Sequence, residues 1–259
     1  AHHLIDMGIK ELVIIAQDTT RYGKDLYTNY FLEDLLEEIA QINPNVYIRL
    51  LYLYPDRITD RLIQIFKKYD NIFPYFDIPI QHSSDVLLKA MNRTGNRKIY
   101  LDVIQKIKKE IPQAILRTTI IVGFPNETEQ DFLDIQEFLK EIEFDHVGIF
   151  TYSDEENTKA YELKNKIPKR IANQRKKELL LLQQKISLKK NQNRINQTHL
   201  VLIEDYDGNN YYGRSYVYAP DDVDGKVIIK SKKKLFIGDE VLVKITKAYA
   251  YDIEGEAQV

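Results

Sequence analysis

The sequence predicts an α/β domain on a parallel β-sheet, in a barrel or a doubly wound arrangement, followed by a small antiparallel β-barrel of the OB type. Three observations carry this. Over residues 1–163, short runs rich in Val, Ile and Leu alternate with amphipathic helical patterns, the rhythm of strands joined by crossover helices. Over residues 198–259 the rhythm changes to short alternating strands separated by Gly-containing turns. Residues 164–197 lie between them and carry a basic helical pattern that follows the helix-starting Pro168.

The chain opens on Ala1-His2-His3-Leu4 and reads as the last turns of a helix ending at Gly8. A start inside a helix, without an initiator Met or a leader pattern, suggests a fragment. Adjacent positions do not share a helix face, so His2 and His3 read as two exposed side chains rather than as a metal pair or tag remnant. Strands are expected at 11–16, 47–54, 75–80, 115–122 and 146–152, with helices around 25–42, 57–70, 84–91, 97–110 and 128–142. Strands this continuously apolar imply a parallel sheet buried on both faces. Further strands are expected at 198–204, 210–216, 225–229, 240–246 and 248–253, joined through Asp207-Gly208, Asp224-Gly225 and Ile237-Gly238-Asp239.

At 259 residues, 44% apolar and 29% charged, the chain can bury one large domain, or one large and one small. No apolar run approaches the roughly 18 residues that cross a bilayer, so a soluble, cytoplasmic protein without a membrane partner is expected. With no Cys there is no disulfide framework, no thiolate nucleophile and no Cys-ligated zinc or iron-sulfur site within these residues. Net charge divides the chain sharply: −9 over residues 1–163, +10 over 164–194 and −3 over 195–259. The middle block sets Leu179, Leu180, Leu182 and Ile186 at helical spacing among basic residues that include Arg170, Arg175, Lys176 and Lys177. It reads as a cationic amphipathic helix, either a solvated face or a contact for a polyanion such as RNA. In the last segment a Tyr-rich face with Arg214 suits base stacking, although Tyr is equally an ordinary strand residue.

Polar and turn-forming residues follow every strand of the first region. They are Gln17-Asp18-Thr19-Thr20, Pro55-Asp56-Arg57, Gln81-His82-Ser83-Ser84, Gly123-Phe124-Pro125-Asn126-Glu127 and Ser153-Asp154-Glu155-Glu156. In parallel α/β folds ligands bind at this carboxyl edge, because the loops converge there and helix N-termini point into the same space. No paired carboxylates or lysine stand at these ends in a way that favours a conventional barrel lyase or isomerase.

These segments resemble the radical S-adenosylmethionine methylthiotransferases. The resemblance lies in Ala16 to Gly23, Asp77-Ile78-Pro79-Ile80-Gln81-His82, Arg117 to Pro125 with Glu127-Thr128-Glu129, and Phe150-Thr151-Tyr152-Ser153, while the C-terminal barrel is similar to a TRAM domain. It runs over essentially the whole chain. Gln-Asp-Thr-Thr, Ile-Gln-His and the acidic Tyr152 to Glu156 resemble the RimO-like branch, which modifies ribosomal protein S twelve, more than the tRNA-modifying branch. Asn126 and Asn157 replace glycines of the family pattern, and Asn is the residue that best tolerates a left-handed turn in their place.

The resemblance implies a partial TIM-like barrel and a 4Fe-4S cluster held by a Cys-x-x-x-Cys-x-x-Cys loop, which cleaves S-adenosylmethionine to a 5′-deoxyadenosyl radical. The radical takes hydrogen from the β-carbon of an aspartate on S twelve, within reach of the small ribosomal subunit, and sulfur and methyl follow. A second cluster belongs to a preceding domain. Both cluster loops fall upstream of Ala1, so these residues alone are expected to be inactive. Carried over by position, Gln17 and Asp18 face the methionine amino group, and Arg117 reaches the cofactor carboxylate or pairs with a neighbouring strand. Gly123 lets the backbone approach adenine or ribose, and Glu127 opens the next helix or complements its dipole. Gln81 and His82 order the cofactor or the incoming aspartate; His82 reads as a structural hydrogen-bonder ahead of a proton-transfer group. Tyr152 and Ser153 line the adenine pocket or simply pack. Two other readings stay open: a tRNA methylthiotransferase, and a cluster-free RNA-binding protein.

Overall fold

Parallel pairing of consecutive strands organises the first part of the chain. The computed structural model describes residues 1–220 and 223–258. Its elements run α1 (His2–Asp6), β1 (Glu11–Ile14), α2 (Leu32–Ile42), β2 (Tyr47–Leu50), α3 (Asp60–Lys68), β3 (Tyr75–Asp77), α4 (Asp85–Ala90), α5 (Arg97–Glu110), β4 (Ile115–Val122), α6 (Glu129–Ile142) and β5 (His146–Thr151). β1 pairs with β2, and β3, β4 and β5 form a three-stranded ladder, all parallel. Between β2 and β3 the ladder thins to an Ile48–Ile72 bridge and a 2.8 Å bond from the Leu53 amide to the Asp77 carbonyl. The strands follow in chain order without reversal, so the doubly wound alternative, which needs a switch point, does not form.

Right-handed crossovers between strands in this order lie on one side of the sheet. The burial of β4 follows: Leu116, Thr118, Ile120 and Val122 are buried, whereas Arg117, Thr119 and Ile121 are half-buried. Phe150, in register with Ile121, is 55% exposed. The expectation of a sheet buried on both faces is therefore corrected; one face is partly open.

Local chemistry explains the helix starts. Thr59 accepts the Leu62 amide at the head of α3, Asn96 accepts that of Ile99 at α5, and Thr128 and Asp131 form a reciprocal capping box at α6. The helix expected over 25–42 is shorter than its pattern. Gly23 adopts φ 79, a Cβ there would collide with the Tyr30 carbonyl, and the rings of Tyr22, Tyr27 and Tyr30 pack together ahead of α2. That aromatic cluster competes with helical spacing and wins. Asn126 and Asn157 do adopt left-handed backbones, at φ 69 and 67. His2 and His3 lie exposed on α1.

The chain forms two compact units, Ala1–Leu180 and Leu181–Val259, so the division falls inside α7 (Lys169–Gln192). The second unit contains β6 (Thr198–Tyr206), β7 (Tyr211–Arg214), β8 (Val227–Lys230), β9 (Glu240–Ala248) and β10 (Ile253–Ala257), closed in the order β10-β8-β7-β6-β9. Closure leaves no free sheet edge. It is sealed by a parallel β8–β10 pair, so the barrel is not wholly antiparallel. The strand expected over 248–253 is mostly a turn, in which the Tyr249 amide donates to the Asp252 carbonyl; pairing resumes at Ile253. No helix among the described residues is long and apolar enough to cross a membrane.

Candidate functional site

One line of hydrogen bonds runs from the carboxyl ends of β1 and β2 through Asp77, the last residue of β3, to Arg117, the third residue of β4. After β1, the Thr19 amide and hydroxyl both donate to the Tyr52 carbonyl, at 3.2 and 3.0 Å, and the hydroxyl also reaches the Leu51 carbonyl at 2.9 Å. The Tyr52 amide donates to Asp77 Oδ2 at 3.0 Å, and Asp77 Oδ1 accepts from Arg117 Nη1 at 2.8 Å. Asp77 is buried. Of the two readings for Arg117, the ion pair to a neighbouring strand is the one that forms. Asp18 is likewise engaged, by the Arg57 guanidinium and the Thr20 hydroxyl. Gln17 beside it is exposed. The sequence does not mark Thr19, Tyr52, Arg57 and Asp77 as site residues, because each looks in one dimension like an ordinary cap or strand residue.

Gln81, at the end of β3, holds φ 68 while its amide donates to the Thr119 carbonyl and its own carbonyl accepts from Ile121, at 2.9 and 2.8 Å. Its side chain lines a cavity of about 500 Å³ with Met91, Arg93, Ile121, Phe124 and Tyr152. Arg93 is steadied there by the Pro79 carbonyl at 2.9 Å and lies 4.5 Å over the Tyr54 ring. His82 does not face this cavity as an acid or base. It is fully buried, and its Nδ1 accepts the amides of Ser83 and Ser84 at 2.9 and 3.0 Å. Burial lowers its pKa to about 4, which keeps the ring neutral and leaves it a structural acceptor at the head of α4.

The loop after β4 is braced from beneath. Glu127 is buried, and its carboxylate accepts the Gly123 amide. Arg175 Nη1 stands 3.4 Å from Glu127 Oε1 and donates to the Glu127 carbonyl at 3.2 Å, while Nη2 reaches Glu129 at 3.1 Å. Burial pushes the Glu127 carboxyl up to about 7, against the pull of Arg175 and of the Gly123 and Phe124 amides. A Cβ on Gly123, which holds φ 77, would lie 2.5 Å from that of Ala172. Glu127 is a buried strut, and one expectation is corrected here: Arg175 points inward to it rather than outward to a partner, because a buried carboxylate needs a counter-charge.

Tyr152 packs edge-on against Phe124 at 5.1 Å, and its hydroxyl donates to Asp154 at 3.1 Å. Burial and then Asp154 hold its phenol above the usual range. With Gly123, Ser153, Asp154, Lys166 and Asn173 it also lines a second cavity of about 500 Å³. Of the remaining basic candidates, Arg170 and Lys177 are exposed, and Lys176 is half-buried with its ammonium 5.9 Å from the Phe150 ring. Arg214 is half-buried and pairs with Glu204 at 2.8 Å. Among the described residues no group of three or more His, Cys, Asp or Glu side chains is arranged to hold a metal ion.

The family description Radical SAM superfamily matches residues 1–139, and TRAM domain matches residues 195–257. The ribosomal protein uS12 methylthiotransferase RimO of Thermoanaerobacter sp. strain X514 is 47% identical over 256 residues, 99% of this chain and 58% of that protein. The protein of the same name from Caldanaerobacter subterraneus subsp. tengcongensis is 48% identical over 256 residues, with the same coverage. The chain thus spans 58% of the length of these relatives. The solved structure of coproporphyrinogen III oxidase from Escherichia coli aligns with 60% of this chain and 36% of its own, at 15% identity and a TM-score of 0.48, a likeness too loose to carry a conclusion.

Proposed function

The chain belongs to the Radical SAM superfamily, and from that premise we propose that it supplies the S-adenosylmethionine-binding side of a partial βα barrel, and the TRAM domain, of a methylthiotransferase. The proposed reaction replaces hydrogen on the β-carbon of an aspartate of ribosomal protein uS12 with a methylthio group. The observation that carries the reading is the cavity at the ends of β3 to β5, walled by Met91, Ile121, Phe124 and Tyr152, with Gln81, Asn92, Arg93, Thr158 and Lys159 among its polar lining. Apolar walls with a few convergent polar groups suit the nucleoside half of S-adenosylmethionine. Identity of 47% and 48% to two RimO proteins across 99% of the chain supports the protein substrate over tRNA.

The residues present do not fit an iron-sulfur cluster, since the chain has no Cys. The two 4Fe-4S clusters of the proposed enzyme would be held by residues outside these 259, and would supply the redox chemistry there. This chain's part is to hold and orient. Gln81 and Tyr152 flank the nucleoside cavity, the Glu127–Arg175 brace fixes the loop above it, and the Asp77–Arg117 pair ties β3 to β4. Among the exposed cationic groups, Arg170 and Lys177 are assigned to meet the ribosome.

The test is to reconstitute the protein with its preceding segment and offer it uS12 peptide and tRNA separately. A methylthio mass increment on the aspartate is the expected result. An increment on tRNA alone replaces the reading with its tRNA counterpart, and a preceding segment without a cysteine triplet replaces it with the cluster-free RNA-binding reading.

A further inference from the structure

Two residues at the ligand edge hold backbones that their side chains disfavour. Gln81 at the end of β3 is one, and its side chain lines the cavity assigned to the cofactor. Tyr52 at the end of β2 is the other. Its φ is 60, in the left-handed region that bulky residues avoid. The conformation is fixed by three hydrogen bonds: amide to Asp77, and carbonyl from the Thr19 amide and hydroxyl. All three use main-chain atoms of Tyr52. Glycine or asparagine would make the same bonds with less strain. Nothing in the fold's own hydrogen bonding therefore asks for an aromatic side chain here.

The side chain itself is 43% exposed, and among the described residues its ring and hydroxyl make no hydrogen bond or ring contact. A strained backbone over-determined by its neighbours, at the edge where ligands bind, marks a functional position. Tyr52 is absent from both cavities beside Tyr152, and its exposure turns it toward something arriving from solvent. A phenol combines a rigid apolar ring with a donor, which suits contact with a protein segment.

We propose that Tyr52 is a specificity-determining residue that contacts the protein substrate, its hydroxyl donating to the bound peptide. This rests on the methylthiotransferase reading above. Asp77 and Thr19 are then positioning residues, which hold the Tyr52 backbone in the conformation that presents the ring.

The test uses the reconstituted full-length holoenzyme with uS12 peptide, comparing wild type with Tyr52→Phe and Tyr52→Gly. Loss of the hydroxyl alone is expected to lower kcat/KM for the peptide about tenfold, through KM rather than kcat. Tyr52→Gly is expected to lose at least as much while its unfolding midpoint stays level or rises, because strain is relieved as the contact is lost. Peptide KM unchanged in both variants overturns the proposal. So does a lowered midpoint for Tyr52→Gly, since that would make the ring a structural element. A wild-type holoenzyme that leaves the peptide unmodified overturns the underlying reading first, and the proposal with it.

Discussion

At the scale of single residues, burial decides chemistry. His82 follows a strand and precedes a helix, a position where a histidine reads equally as acid-base group or cap, and only its enclosure separates the two. The linkage has a definite sign. Above pH 6.5 the ring is neutral in both folded and unfolded chains and its contribution is full; between 6.5 and about 4 the unfolded chain takes a proton that the folded one refuses. Stability should therefore fall on acidification through that window, by about 3 kcal/mol from this group. His199, lowered to about 4 by burial and then by Arg194, acts in the same direction. Glu127 acts against both, since its raised pKa gives stability that is full below 4.5 and lost as pH rises through 7. His82→Asn keeps an acceptor for the Ser83 and Ser84 amides, and urea midpoints measured from pH 7 to 4 should show a flatter slope than wild type. Asp77→Ala should cost about 2–4 kcal/mol by chemical denaturation, because it leaves the Arg117 guanidinium and the Tyr52 amide short of an acceptor.

At the scale of elements, α7 shows how far a charge pattern can be read. Its basic composition and helical spacing were legible, but the face it buries was not. The buried stripe contains Ala172, Arg175, Leu179, Gln183, Ile186, Ser187 and Asn191, as polar as it is apolar, so neither hydrophobic periodicity nor net charge identifies it. Arg175 and Lys177 look alike in the sequence and do opposite things. Arg175→Met should destabilise the first unit by about 3–5 kcal/mol above pH 7, where Glu127 is left charged and unpaired, and by less at pH 5, where that carboxyl is protonated. Lys177→Met should leave the midpoint unmoved. Gly123→Ala should cost about 2–3 kcal/mol, from the left-handed backbone and from the Ala172 methyl in its way. The strand ends show the reverse case. Their polar loops are legible in the sequence, yet the Thr19–Tyr52–Asp77–Arg117 line is not, because it joins residues 98 positions apart through strand register.

At the scale of the whole molecule, the absence of Cys makes a simple prediction. Incubation of these 259 residues with iron, sulfide and reductant should yield no cluster absorbance. The sequence by itself determined the alternation of strand and helix, the change to a small barrel after residue 198, the segments that carry the family resemblance, and the lack of cluster ligands, because composition, periodicity and local turn chemistry are properties of neighbours in the chain. The tertiary structure alone decided that the first sheet runs in chain order with one face partly open, that the second barrel closes through a parallel pair, that Arg117 and Asp18 are engaged by Asp77 and Arg57, and that Arg175 faces Glu127. Those outcomes depend on which distant side chains are brought within hydrogen-bond reach and removed from water together, and the cost of an unpaired buried charge is set by that enclosure rather than by the residue's neighbours in sequence.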